Sequence, residues 1–551
     1  MSFKGFVSCN SKISKEDKDF YDLKNKAAEF YRANCVPQRI ETVLNEMFLT
    51  KPNDIYGYLG NYFSSFSHTP VISTVVGREV YDARGEAALQ VDVYCIIRNE
   101  EKRVCDAVVT SLEGDVMETS NAAADDNRLA PVKTALNWIK DQLSSMVCGF
   151  NPANQTHLDK LLSDFYIARY LEDQEERSRE KKTEEEELAE TPSETTSPNA
   201  PASTKVKGKK GSASEKPLPP PEIPEPMLPG AMVVGAMSMA VVKSAASLAS
   251  MPLYKHILNL RDPQYTQVFL PVPMVSVLSC GKTSPGKLNL LEELILLSTV
   301  SHKTKESVLV QFSEGGAIQL GLDRSEQALD LLMETCSNLG LPIGTELRLV
   351  INCAAHTLID YSKGKYEVMA GTLKSRDELV EMYVGLVNKY PAIVALIDPF
   401  RKEDVEQWQK LSSRIGQSCY LIADAAYSPC PRWMGDKLLP PGVTWITIRH
   451  RSDMTLTDLL NAVAERTERD TILAVSSEEI GDDSMIDVAV GLGVSFVKLG
   501  GLTGGGRMNK YNRLHRIEQE LEEQGILGMR EVKLPCESSP DEESTQTEQT
   551  T

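Results

Sequence analysis

LRLVINC at 347–353, IVALIDP at 393–399, CYLIAD at 419–424, WITIR at 445–449, ILAVS at 472–476 and SFVKLG at 495–500 are six short runs of one kind. Each is dense in large apolar residues, so each reads as a strand buried on both faces. Helix-like stretches separate them, and that rhythm predicts a parallel β/α barrel within a domain spanning 263–530. The C-terminal ends of barrel strands make one face, where catalytic residues gather. Asn352, Asp398, Asp424, Arg449, Ser477 and Lys498 lie at those ends and are expected to face one pocket.

The chain of 551 residues is 41% hydrophobic, enough for a sizeable core plus smaller modules. Its formal net charge is −19, and much of the acid lies in a linker and a tail, which argues against a nucleic-acid partner. The 11 cysteines are scattered singly without a CxxC pair, as expected of reduced thiols in a cytoplasmic setting with no zinc site. The first residues, MSFKGFVSCNSK, lack the apolar core of a signal peptide. The apolar stretch 231–250 is interrupted by Lys243 and reads as a buried helix, so no membrane span is expected.

Residues 1–17 read as disordered. Residues 18–66 read as two short helices, with Val36, Ile40, Val43, Leu44, Met47 and Phe48 on one stripe and Ile55, Tyr58, Leu59, Tyr62 and Phe63 on the next. The turn KPND at 51–54 supplies a proline and an aspartate cap. Such a pair is too small to fold alone. Over 36–63, VPQRIETVLNEMFLTKPNDIYGYLGNYF resembles the dimerisation–docking module of cyclic-AMP-dependent kinase regulatory subunits. That resemblance implies a dimer whose groove takes the amphipathic helix of an anchoring protein; a helical extension packed on the main body is the alternative. Alternating runs over 71–110 predict a three-stranded antiparallel meander, and helices at about 128–147 and 156–171 complete an α+β domain, 71–171. Residues 172–229, acidic and then rich in Ser, Pro and Lys, read as a disordered insertion. A helix within 230–262 completes the α+β domain, a helix at 508–524 closes the barrel domain, and 531–551 reads as a disordered tail.

An antiparallel α+β domain before a β/α barrel resembles enolase, the phosphopyruvate hydratase of glycolysis. The matching blocks fall in order: VYDARGEAALQVDV (80–93), PGAMVVGAMSMAVVKSAASLASMPLYKHI (229–257), KLNLLEELIL (287–296), FSEGGA (312–317), INCAA (351–355), IDPF (397–400), IADAA (422–426), VKLGG (497–501) and KYNRLHRIEQELEEQG (510–525). With its docking-like start and its insertion, the chain is most similar to the divergent sperm-type branch of that family. This implies a cytoplasmic setting, flagellar or cytoskeletal, and pairing with itself or with another enolase.

The resemblance also implies roles. Enolase chemistry removes a weakly acidic proton beside a carboxylate, with Mg²⁺ on that carboxylate and a lysine as base; a glutamic acid then protonates the departing hydroxyl. Glu314 matches the proton donor, Glu292 its assistant, and Lys498 the lysine that holds the substrate. The metal ligands fall on Asn352, Ile397 and Asp424, one carboxylate in place of three. The base falls on Arg449, which does not deprotonate in proteins. Thr283 and Ser477 stand where histidines contact the substrate, and the loop SLEGDVMETS at 111–120 lacks the family's metal-binding serine pattern. Two functions follow from this pattern: a subunit with a weakened Mg²⁺ site and little or no turnover, or an active Mg²⁺-dependent hydratase.

Overall fold

The computed structural model describes residues 15–82, 85–110, 125–189, 218, 228–282, 284–298, 317–424, 439–466, 470–475, 482–530 and 535. The chain separates into two compact units, Met1–Pro70 with Ile97–Glu100 and Val71–Ile96 with Glu101–Thr551.

In the smaller unit three helices, α1 (Lys15–Ala33), α2 (Val36–Thr50) and α3 (Ile55–Ser64), stand where the sequence pattern gave two. Cys35, left-handed at φ 54, turns the chain between α1 and α2, and Pro37 lies in the first turn of α2 where it costs no hydrogen bond. Asp54 caps α3 by accepting the Gly57 N–H at 2.8 Å. Val43 is fully buried, but Ile40, Leu44, Phe48, Ile55 and Phe63 on the same stripes stay exposed.

The larger unit begins with an antiparallel sheet of β1 (Val71–Tyr81), β2 (Ala87–Ile97) and β3 (Glu100–Thr110), in consecutive order. The helix Met232–Leu248 is buried almost all round, and its charge at Lys243 meets Asp482 at 2.9 Å. Among the described residues no single helix is long and apolar enough to cross a membrane. The helix Gln155–Ala189 corrects the boundary drawn at 172: it runs on into the acidic stretch. Arg177–Asp173 and Arg179–Glu175 pairs one turn apart support that extension.

Eight strands close the barrel. In chain order they are Val272–Ser279, Glu293–Ser298, Leu347–Asn352, Ile393–Ile397, Tyr420–Ala423, Val443–Arg449, Thr471–Ala474 and Phe496–Gly500, and the eighth pairs with the first. One strand breaks the all-parallel expectation. The second runs antiparallel to both neighbours, the first and the third. Its N-terminal end therefore lies level with the C-terminal ends of the others.

Alternation sorts each strand between two cores. Met274, Ile295, Leu297, Val350, Ala395, Ile422, Trp445, Ile472 and Phe496 fill the barrel interior. Their neighbours Leu294, Leu349, Ile351, Leu396 and Leu421 belong to the cluster that includes the helix residues Leu379, Tyr383 and Trp408. The Trp445 and Phe496 rings lie 4.4 Å apart and plug the interior. One step along each strand from these plugs comes the layer that matters for chemistry.

Candidate active site

Residues that share the inward face with the interior core form that layer: Ser276, Glu293, Asn352, Ile397, Asp424, Arg449 and Lys498. Asp424 and Arg449 come from adjoining strand ends. Arg449 grips Asp424 bidentately, Nε to Oδ1 at 2.8 Å and Nη2 to Oδ2 at 2.8 Å. Lys498 Nζ lies 2.7 Å from Glu293 Oε2 and 3.6 Å from Asp424 Oδ2. Asn352 donates through Nδ2 to Glu293 Oε2 at 2.9 Å, and Ser276 donates to Glu293 Oε1 at 2.9 Å. The register that sets Glu293 opposite Asn352 makes the first of these contacts a cross-strand pair.

Two strand ends are bent. Ala354 and Asp398 hold left-handed backbones at φ 41 and φ 45, conformations that non-glycine residues seldom adopt outside constrained sites. The turn at Asp398 carries its carboxylate back to the next strand, where Oδ1 accepts the Asp424 N–H at 2.8 Å. His356 Nδ1 lies 3.8 Å from the other oxygen. Asp398 thus positions Asp424, while Ile397 beside it is 1% exposed and packed in the core.

The charges support one another. Burial opposes the Asp424 carboxylate, but Arg449 and Lys498 outweigh it and leave its pKa below the ordinary value. Burial likewise opposes Glu293, and Lys498 with Asn352 and Ser276 brings it down. Burial pulls Lys498 down, yet Glu293 and Asp424 raise it above the usual lysine value. Asp424 raises Arg449. Two acids and two bases are therefore all charged at neutral pH and matched within the pocket.

Of the residues singled out from the sequence, Asn352, Asp424, Arg449 and Lys498 come together here. Glu292 does not join them: it precedes the inward-facing Glu293, and its carboxylate lies beside Gly281, where an added Cβ would fall 1.7 Å from Oε2. Burial and then the Glu292 charge push the Cys280 thiol up to about 11. Glu314, Thr283, Ser477 and the loop 111–120 lie outside the described residues. Lys282, next to Thr283 in the chain, donates to the Thr357 carbonyl at 2.5 Å. The residue that the strand-end rule missed is Glu293. Its signal was the alternation of Glu293 with Ile295 and Leu297, but only the reversed direction of its strand brings it to this face.

The donor set does not fit Mg²⁺. That ion needs several anionic oxygens in a near-octahedral shell. Asp424 has both oxygens on the Arg449 guanidinium, Asn352 gives its amide N–H to Glu293 and its oxygen to the Ala354 N–H, and Ile397 has no donor atom. Among the described residues no three acid, histidine or cysteine side chains converge as a metal-holding group.

The geometry agrees with the comparisons. Residues 267–534 match the family model described as the enolase C-terminal TIM barrel domain. The chain is 55% identical to Enolase 4 of Danio rerio, with 97% of each chain covered. It is 42% identical to Enolase 4 of Xenopus laevis, with 94% of each covered. It is 38% identical to Enolase 4 of Homo sapiens, over 93% of this chain and 90% of that one.

Proposed function

The chain belongs to the enolase family, and on that premise we propose that it is an assembly subunit whose metal and base site has degenerated, with little or no hydratase turnover. One observation carries this reading: Arg449 stands at the strand end of the family's basic lysine and is locked bidentately on Asp424. A guanidinium that stays protonated cannot accept a proton from substrate carbon. General-base catalysis supplies about 10²–10⁴-fold and metal stabilisation of the dianion more, so losing both leaves little rate. Glu314, the proton donor that the resemblance implies, would act only after the missing base.

The N-terminal helices are the anchoring element of this proposal. Tyr31, Val36, Pro37, Ile40 and Leu44 line a groove of about 730 Å³ on α1 and α2. Two copies pairing through these helices and holding an amphipathic helix of an anchoring protein would cover it. The enolase body pairs with itself or with another enolase, in a cytoplasmic, flagellar assembly.

The test is conversion of 2-phosphoglycerate to phosphoenolpyruvate by the full chain with Mg²⁺. Background turnover, with no thermal stabilisation by Mg²⁺ plus 2-phosphoglycerate, is expected. Clear turnover that Glu314→Gln abolishes overturns the proposal. The double substitution Arg449→Lys, Ile397→Glu is expected to raise turnover above the native chain. For the anchor, cross-linking should trap residues 1–70 of the full chain as a dimer; a monomer that ignores amphipathic peptides removes it.

A further inference from the structure

The role of Glu293 goes beyond the loss of a metal site. The reversed second strand delivers a carboxylate into the mouth of the barrel, and that carboxylate is fully engaged. Lys498 holds Oε2 at 2.7 Å, and Asn352 and Ser276 complete its shell at 2.9 Å each. Lys498 itself is buried, with Glu293 on one side and Asp424 on the other. The second cation of the pocket, Arg449, spends two donors on Asp424.

A small anion entering this mouth would look to Lys498 for its counter-charge. It would have to compete with a carboxylate tethered beside that lysine at high effective concentration. Displacing it would strand the part-buried Glu293 without its cation, which is costly in a site of lowered dielectric. We infer that Glu293 is a built-in anion that occupies Lys498 and excludes small phosphate and carboxylate ligands, so it sets the ligand specificity of the pocket. This inference rests on the degenerate-site reading above and explains how the pocket stays shut to anions while keeping a buried lysine.

Glu293→Gln is the direct test. Glutamine keeps the shape: with its oxygen toward the Asn352 amide, its own N–H can donate to the Ser276 hydroxyl, and Lys498 keeps Asp424 as a partner, so the variant should melt within a few degrees of the native chain. Calorimetric titration of the full chain with inorganic phosphate should show at least tenfold tighter binding in Glu293→Gln than in the native protein. Acetate in place of phosphate tells whether the freed lysine takes either anion or phosphate alone. Adding Lys498→Met to Glu293→Gln should erase the gain. Equal phosphate affinity in the native and Glu293→Gln chains overturns the inference, as does a gain that survives Lys498→Met. If Glu293→Gln does not fold, Lys498→Met alone decides. It should leave the native chain's phosphate affinity unchanged, and a tenfold loss overturns the inference. Native turnover of 2-phosphoglycerate would sink the degenerate-site reading, whereas the affinity ratio judges Glu293 separately.

Discussion

Inside the barrel Trp445 and Phe496 are each 1% exposed, whereas in the N-terminal helices Phe48 is 74% exposed and Leu49 79%. Both regions are built from regular elements that carry apolar side chains at periodic positions. The barrel closes on itself, its eighth strand pairing with its first, so each inward side chain meets others across the interior. Three short helices cannot enclose a stripe of that width, and among them Val43 is the buried hydrophobic residue. Apolar pattern alone thus does not tell a core from an exposed face; whether the fold has an opposite wall does.

Breaking the contrast should be easiest at the barrel. Trp445→Ala should destabilise the larger unit by about 3–5 kcal/mol, read by denaturant unfolding, because it empties the interior plug. A loss under 1 kcal/mol would mean that the interior is not packed as described.

Lys498→Met probes the charged layer above that plug. It should cost about 3 kcal/mol at pH 7, since it leaves the part-buried Glu293 with only neutral donors. The pKa values of Glu293 and Asp424 are lowered by folding, so their contribution is complete above the ordinary carboxylate range. It fades as pH falls through their lowered values. The gap between native and Lys498→Met proteins should therefore narrow in acid; a constant gap would deny the ion pairs.

His450, next to that layer, supplies an acid-sensitive element of opposite origin. Burial pushes it from 6.5 down to about 4. The unfolded chain takes the proton first, so stability should fall as pH drops from about 6.5 to about 4, by on the order of 2–3 kcal/mol. His450→Gln should flatten that part of the stability curve, and an unchanged slope would refute the assignment.

The smallest effect on unfolding is expected at the exposed end of the comparison. Phe48→Ala should change stability by less than about 0.5 kcal/mol, as surface substitutions do. It should nevertheless weaken self-association measured by sedimentation. Unaltered association would remove Phe48 from the proposed docking face.

Much of the fold was legible because its signals are local. The run IVALI announces a strand buried on both faces, and all five residues are buried. The run MVVGAMSMAVVKSAASL announces a helix apolar all round, and the cost of Lys243 is met by Asp482. At the site, Asn352, Asp424, Arg449 and Lys498 were readable as strand ends because seven of the eight barrel strands run the same way. The extension of Gln155–Ala189 was not, since an acidic run looks solvated whether it is helical or not.

The sequence by itself determined the family, the barrel and which residues stand at its strand ends, Ile397 and Arg449 among them. The tertiary structure decided what fills that pocket. A strand's direction is not written in its alternation, because period two is the same read from either end. Only the pairing of Glu293–Ser298 against both neighbours turns Glu293 inward at the mouth, and only then do its charge and that of Lys498 meet.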